Sequence, residues 1–378
     1  MRLTTAGESH GKALVAIVEG IPAHLKIDIN AINADLALRQ KGYGRGARQK
    51  IETDKAEVLS GMRNGETLGS PIALCIWNKD YENWSDCMSV EHCDEKAMQE
   101  RALTKVRPGH ADLTGMMKFE QTDGRNILER ASARETAIRV AVGSVFKQYL
   151  ATLGIEINGC VREVCSVKDE NTYSFDDLKK SKTTDLGILD SEVNVKAKEK
   201  IDELARDGDT AGGIVEIRVR GLKAGFGSMM TYAEKLDARL AGALMSIQAV
   251  KGVEFGAGFD CARTSGSLFH DEITFGKQGF YRITNRAGGI EGGMSNGEEL
   301  VMKLAMKPIP TLRKGLKTVD YATKENTVAS VERGDTCAIF ALQIIAEAVV
   351  AEVLATAVSE RLGGDTMSQV IERYRLLP

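Results

Sequence analysis

The chain has 378 residues, 43% of them hydrophobic and 27% charged, with a formal net charge of -3. That apolar share is ample for a buried core, while slight acidity and only 5% aromatic residues argue against nucleic acid as the main partner. Seven cysteines, an odd number without C-x-x-C spacing, fit a reducing compartment rather than a disulfide framework.

The amino terminus lacks the apolar stretch of a signal peptide, so a cytoplasmic protein is expected. Leu14–Gly20 and Pro71–Trp77 are short apolar runs between turn residues and predict buried strands. A helix is expected at about 30–40. It runs into Arg39–Lys50, where five of twelve residues are Lys or Arg. Such local concentration of cations among glycines points to an anion, either a small phosphorylated molecule or a nucleic-acid backbone. Cys87, His92 and Cys93 lack a fourth ligand at zinc spacing, so no metal is expected. A helix is expected at 132–152. The charged stretch 165–210 reads as a peripheral excursion with a surface helix near 192–206, and the region 80–100 as another. Ile214–Arg220 alternates like a half-exposed strand, and a further helix is expected at 233–248. The most apolar run, at 337–358, contains Gln343, Glu347 and Glu352, which suits a buried helix, expected at about 339–361, and not a membrane span. No G-x-G-x-x-G follows a strand, and Gly65–Gly69 lacks the G-K-[ST] of a P-loop. The reading is an α+β fold in a single domain over residues 1–378.

Chemistry concentrates in a few loops. His10 and His110 lie among glycines and small residues, beside Glu8 and Ser9 in one case and Arg107 and Asp112 in the other. Either a packed histidine or a proton donor suits that setting, because imidazole titrates near neutrality. Ser132 and Glu135 have the S-x-x-E spacing of a capping box. Arg130 and Arg134 would repel the positive end of the same helix unless an anion arrives, which favours a ligand site. The glycine-rich segment Asn285–Gly297 is either a turn or a backbone cradle. It is followed by Lys307–Thr311, which carries two prolines. Asp335, just before the apolar helix, would by itself be read as a cap.

Taken together and in this order, the segments Gly7–Gly11, Arg39–Arg48, Arg107–Asp112, Arg130–Thr136, Asn285–Gly297 and Arg333–Asp335 closely resemble those of the chorismate synthase family. The resemblance implies a β-α-β sandwich, with a helical layer between two mainly antiparallel sheets, assembled as a homotetramer. It implies a lyase that converts 5-enolpyruvylshikimate 3-phosphate to chorismate by 1,4-elimination of phosphate, using reduced FMN, on the shikimate pathway to the aromatic amino acids. An external flavin reductase or reductant is then a partner, and NADPH would enter only as an indirect reductant. By the same resemblance His10 would protonate the departing phosphate and His110 would balance charge near flavin N1. Asp335, with Ser9 and Ser132, would assist proton removal at flavin N5. Arg39, Arg45, Arg48, Arg107 and Arg134 would hold the substrate anions. Arg130, Ala131, Ser132, Gln248, Ala249, Gly292, Lys307, Pro308, Ile309, Pro310, Thr311 and Arg333 would line FMN. The chain departs from the family pattern at Gln248, where Asn is usual, at Gly334, where Ser or His is usual, and at Phe340, where Pro is common. No nucleic acid or membrane is expected as a partner.

Overall fold

The computed structural model describes residues 1–46, 53–277, 279–332 and 334–378. Two of the expected ligand-binding arginines, Arg48 and Arg333, therefore lie outside the described residues. The first sheet contains β1 (Arg2–Ala6), β2 (Ala13–Glu19), β3 (Glu57–Ser60) and β4 (Ile72–Trp77), in the order β1-β2-β4-β3 with every pairing antiparallel. Along β2, Leu14, Ala16 and Val18 are buried, whereas Val15 and Ile17 are 38% and 49% exposed. Both expected strands therefore form, but burial on both faces does not. Strand side chains alternate between faces, and the outer one is left partly exposed, Trp77 of β4 included.

The second sheet contains β5 (Glu156–Val164), β6 (Val167–Lys168), β7 (Gly213–Arg220), β8 (Val250–Phe255) and β9 (Leu300–Met306), ordered β8-β9-β7-β5-β6 and again antiparallel throughout. β9 has the clearest strand signature, since Leu300, Met302, Leu304 and Met306 alternate into the core.

The main helices are α1 (Ile29–Gln40), α2 (Asp112–Phe119), α3 (Arg125–Ala131), α4 (Thr136–Ala151), α5 (Ser191–Arg206), α6 (Leu236–Met245), α7 (Ile339–Leu362) and α8 (Met367–Arg375). α4 packs against β2 and β4, α7 packs against β5 and β7, and the two helices pack on each other. α7 is long and apolar enough to cross a membrane, yet its most apolar stretch is 83% buried within the molecule. Glu347 in its middle is fully buried and pairs with Lys147 of α4 at 3.1 Å and Lys182 at 2.8 Å. Burial pushes the Glu347 carboxyl up, but the two ammonium groups outweigh it and hold the group below its ordinary range.

The structure revises three expectations. The helix expected at 132–152 begins four residues later, as α4 at Thr136: Ser132 ends α3 with an extended backbone, and a 3-10 turn over Ala133–Glu135 leads into α4. No capping box forms there: Ser132 Oγ accepts from the Arg134 N–H, and Glu135 takes the Thr5 hydroxyl at 2.9 Å. The expected surface stretch 165–210 does carry α5, but it also contributes Phe175, Leu178, Leu186, Ile188 and Ile201 to the interior. Asp335 does not cap α7, whose first turn has no side-chain cap.

The α4–α7 contact depends on one missing side chain. A Cβ added at Gly143 would lie 2.2 Å from the Ala348 Cβ and 2.6 Å from its Cα. Helix propensity alone favours Gly143→Ala by about 1 kcal/mol, whereas overpacking costs about 1–3 kcal/mol. The variant is expected to be net destabilised, with a lower denaturant midpoint; a raised midpoint would mean that the helices can part without cost.

Candidate functional site

The β1–β2 turn, the 107–111 loop, the break between α3 and α4, the end of α6, the segment after β9 and the start of α7 enclose a cavity of about 400 Å³. That volume suits a small organic ligand. Of the residues expected from sequence, Ser9, His10, Arg39, Arg45, Arg107, His110, Ala131, Ser132, Gln248, Ala249, Lys307, Ile309, Pro310, Thr311 and Asp335 line it. Segments separated by more than three hundred positions thus meet in one place.

Four expected residues do not line this cavity. Arg130 turns back to the β1–β2 turn, donating to the carbonyls of Gly7 and Thr5. Arg134 is buried behind the wall, where its guanidinium donates to Asn78 Oδ1 at 2.8 and 3.0 Å and to Asp54 Oδ2 at 2.7 Å. Gly292 sits at the tip of the hairpin pairing Ile290–Glu291 with Met294–Ser295, with nothing within 4 Å of an added Cβ. The glycine-rich segment around it serves backbone approach instead: a Cβ on Gly288 would lie 2.3 Å from the Gly256 nitrogen. Pro308 is bracketed by lining residues without joining them.

The cations are held by carboxylates from behind. Arg107 Nε and Nη2 donate to Asp112 Oδ2 and Oδ1 at 2.8 and 2.9 Å, a two-pronged contact that fixes the guanidinium plane. The same Oδ1 lies 2.5 Å from His110 Nδ1. A carboxylate only accepts, so this short contact calls for a proton on Nδ1, while Arg107 Nη2, a donor, lies 3.0 Å from the same nitrogen. Burial pushes the Asp112 carboxyl up, but hydrogen bonds from His110 and Arg107 outweigh it and hold the group far below its ordinary value. Arg39 donates to Thr136 Oγ1 and the Ala133 carbonyl, and lies 3.8 Å from Asp54 Oδ2. Burial lowers the Arg39 guanidinium to about 9 despite Asp54, with Arg134 and Arg45 adding to the effect, so it stays cationic at neutral pH. Asp335 accepts the Gly46 N–H at 2.6 Å and faces Arg45 Nε at 3.3 Å. Lys307 Nζ donates to the Gly109 carbonyl.

Apolar residues also line the cavity, among them Ile247, Ala249, Ile309, Pro310, Leu342 and Ile345. Ala249 adopts φ 71°, a left-handed conformation rare outside glycine. Beside it, Gln248 Oε1 is buried without a hydrogen-bond partner. A buried acceptor left unpaired on a cavity wall is expensive, so this position suits a ligand N–H.

Sequence reasoning missed Trp84 and Glu129. Trp84 lines the cavity and stacks on the His10 ring at 4.0 Å. It lies in the 80–100 region, where the resemblance carries no motif. Glu129 sits behind His10 in α3 and is 2% exposed. Its signal was Arg125 one turn earlier, an i,i+4 pair at 3.6 Å.

A sequence profile of the chorismate synthase family matches residues 1–359. The chain belongs to the chorismate synthase family. It is 53% identical to the chorismate synthase of Geobacter sulfurreducens, over 99% of this chain and 97% of that protein. Identity to the Bacillus pumilus enzyme is 50%, covering 100% and 99% of the two chains. A crystal structure of a chorismate synthase superposes with a TM-score of 0.80 at 39% identity, covering 99% of this chain and 96% of that one. Chorismate synthases are lyases, and this chain is one by membership.

Two outcomes follow from the buried carboxylates. The folded-state values of Asp112, Glu129 and Glu347 are all depressed. Their stabilisation is therefore complete above the unfolded-state values and lost as pH falls below about 4.5. Denaturant midpoints should drop between pH 7 and pH 3, and a flat profile would contradict the assignments. Asp54→Ala leaves Arg39 and Arg134 without their shared counter-charge, which should cost about 3–5 kcal/mol of unfolding free energy.

Proposed function

We propose that this chain removes phosphate from 5-enolpyruvylshikimate 3-phosphate by 1,4-elimination, giving chorismate on the shikimate pathway, and that reduced FMN is its cofactor. The observation that carries this reading is the meeting of His10, His110, Arg39, Arg45, Arg107 and Lys307 around one cavity. A substrate with two carboxylates and a phosphate needs such a set of cations, and arginine pairs with either group through two parallel hydrogen bonds.

The family implies the flavin, and the residues present fit it. The wall formed by Ile247, Ala249, Ile309 and Pro310 suits a flat ring, and the unpaired Gln248 Oε1 suits a ring N–H. Ala131, Ser132, Lys307 and Thr311 complete that wall, with Arg333 assigned by resemblance. When bound, reduced FMN supplies the electron density that lets the ring C–O bond break without net redox change.

The chain's own residues supply charge and protons. His10 delivers a proton to the departing phosphate. His110, on the cavity wall with Nδ1 engaged by Asp112 at 2.5 Å, balances the charge of an anionic ring there. Asp335, aligned by the Gly46 N–H, accepts a proton there, with Ser9 and Ser132 nearby on the wall. Arg39, Arg45 and Arg107 bind the substrate anions. Arg134 acts on them indirectly, by holding Asp54 behind Arg39.

The wider reading is a single-domain β-α-β sandwich in which α4 and α7 form the layer between the sheets. It works in the cytoplasm as a homotetramer and depends on flavin reduced elsewhere, with NADPH acting only through that reductant. The exposed Val15, Ile17 and Trp77 on the first sheet give a second subunit an apolar face to cover.

The test is anaerobic incubation with chemically reduced FMN and the shikimate phosphate ester, following inorganic phosphate and chorismate. Release of both is expected, and none with oxidised FMN. His10→Ala and His110→Ala should each lower kcat by roughly 10²–10⁴-fold. Near-normal turnover in either variant would remove that residue from the mechanism.

A further inference from the structure

We infer that Glu129 is a positioning residue for the elimination: it dictates which nitrogen of His10 faces the cavity. The inference rests on the function proposed above, in which His10 is the proton donor.

Glu129 grips the 9–10 segment from 119 positions away. Its carbonyl accepts the Ser9 N–H at 2.8 Å and its Oε2 accepts the His10 N–H at 2.7 Å, which fixes the backbone. Its two carboxylate oxygens also lie 2.9 and 3.0 Å from His10 Nδ1. A carboxylate offers only lone pairs, so Nδ1 must present a hydrogen to it. Nε2 is then the nitrogen left for proton exchange with a ligand. Ring rotation is blocked because the imidazole lies flat on Trp84, 4.0 Å away and tilted by 25°. Arg101 and Arg125 flank that indole at 4.1 and 5.2 Å.

Every charge around the pair suits this role. Burial pushes the Glu129 carboxyl up, but the His10 hydrogen bond and the Arg125 charge hold it below its ordinary value. Arg125 is itself anchored to Glu332 at 2.8 Å. Glu129 therefore remains an anion in a buried position, which the His10 backbone contact alone would not require.

Glutamine separates the two roles. In Glu129→Gln the amide oxygen must still accept the His10 N–H, which turns the amide NH₂ toward Nδ1. That arrangement makes Nδ1 an acceptor and moves the ring proton to Nε2. Nitrogen-15 spectra of the imidazoles, with His10 assigned through His10→Asn among five histidines, read this directly in the full-length protein without cofactor. The wild type is expected to hold its neutral-ring proton on Nδ1 and Glu129→Gln on Nε2. In turnover, Glu129→Gln should lose at least about tenfold in kcat with KM changed by less than about twofold. Glu129→Asp keeps the acceptor-only carboxylate and should restore the Nδ1 proton and part of the rate.

A wild-type ring protonated on Nε2 overturns the inference, as does a Glu129→Gln enzyme with unaltered tautomer and kcat. If Glu129→Gln fails to fold, the wild-type spectrum decides alone. Absence of turnover in the wild type would sink the proposed elimination, while the spectra would still report whether Glu129 sets the ring.

Discussion

Cations gathered around one partly dry cavity repel each other, by about 3 kcal/mol for a pair about 5 Å apart at an effective dielectric near 20. The fold answers this with carboxylates, three behind the wall and Asp335 on it. Asp54 serves Arg39 and Arg134, Asp112 serves Arg107 and His110, Glu129 serves His10 and Arg125, and Asp335 serves Arg45. The buried arginines keep their charge because a nearby anion repays part of their desolvation. The arrangement also fixes direction, since a carboxylate touching Nδ1 leaves Nε2 as the working atom. Without these anions the clustered guanidinium groups would lose the counter-charge that offsets their mutual repulsion.

Rigidity behind the carboxylates comes from the helices between the sheets. Gly143 lets α4 close against Ala348 of α7, and Lys147, one helical turn further on, meets Glu347 of α7. The α3–α4 break at Ser132 depends on the position of α4, and α7 delivers Ala341, Leu342 and Ile345 to the cavity floor. Packing and site geometry are therefore joined: a shift between these helices would move the Arg39, Asp54 and Arg134 cluster with it.

Much of the site was legible because its chemistry is written in residue types that rarely sit together by chance. Histidines in glycine loops, with Arg39 and Arg45 of the cationic run, marked the cavity wall, and the resemblance put them in order. The less legible parts depended on long-range approach. Arg130 and Arg134 look alike in sequence, yet one folds back on the β1–β2 turn and the other serves as a buried strut for Asp54. Gly292 looked like a cradle, but the glycines around it answer a steric need between the 256 and 288 backbones. Glu129 and Trp84 escaped notice because neither lies in a loop motif; both meet His10 only through the fold.

The sequence by itself determined several element types, since the short apolar runs Leu14–Gly20 and Pro71–Trp77 and the long, mostly apolar run of Ile339–Leu362 have few alternative solutions. It also determined the family and the chemical character of the ligand, because arginine, histidine and glycine at those spacings answer an anion. Only the tertiary structure decided which cations face the cavity and which stand behind it. That choice is made by where the carboxylates Asp54, Asp112 and Glu129 come to rest. Their positions follow from how α3, α4 and the first sheet close on one another, a contact between distant segments that no local pattern encodes.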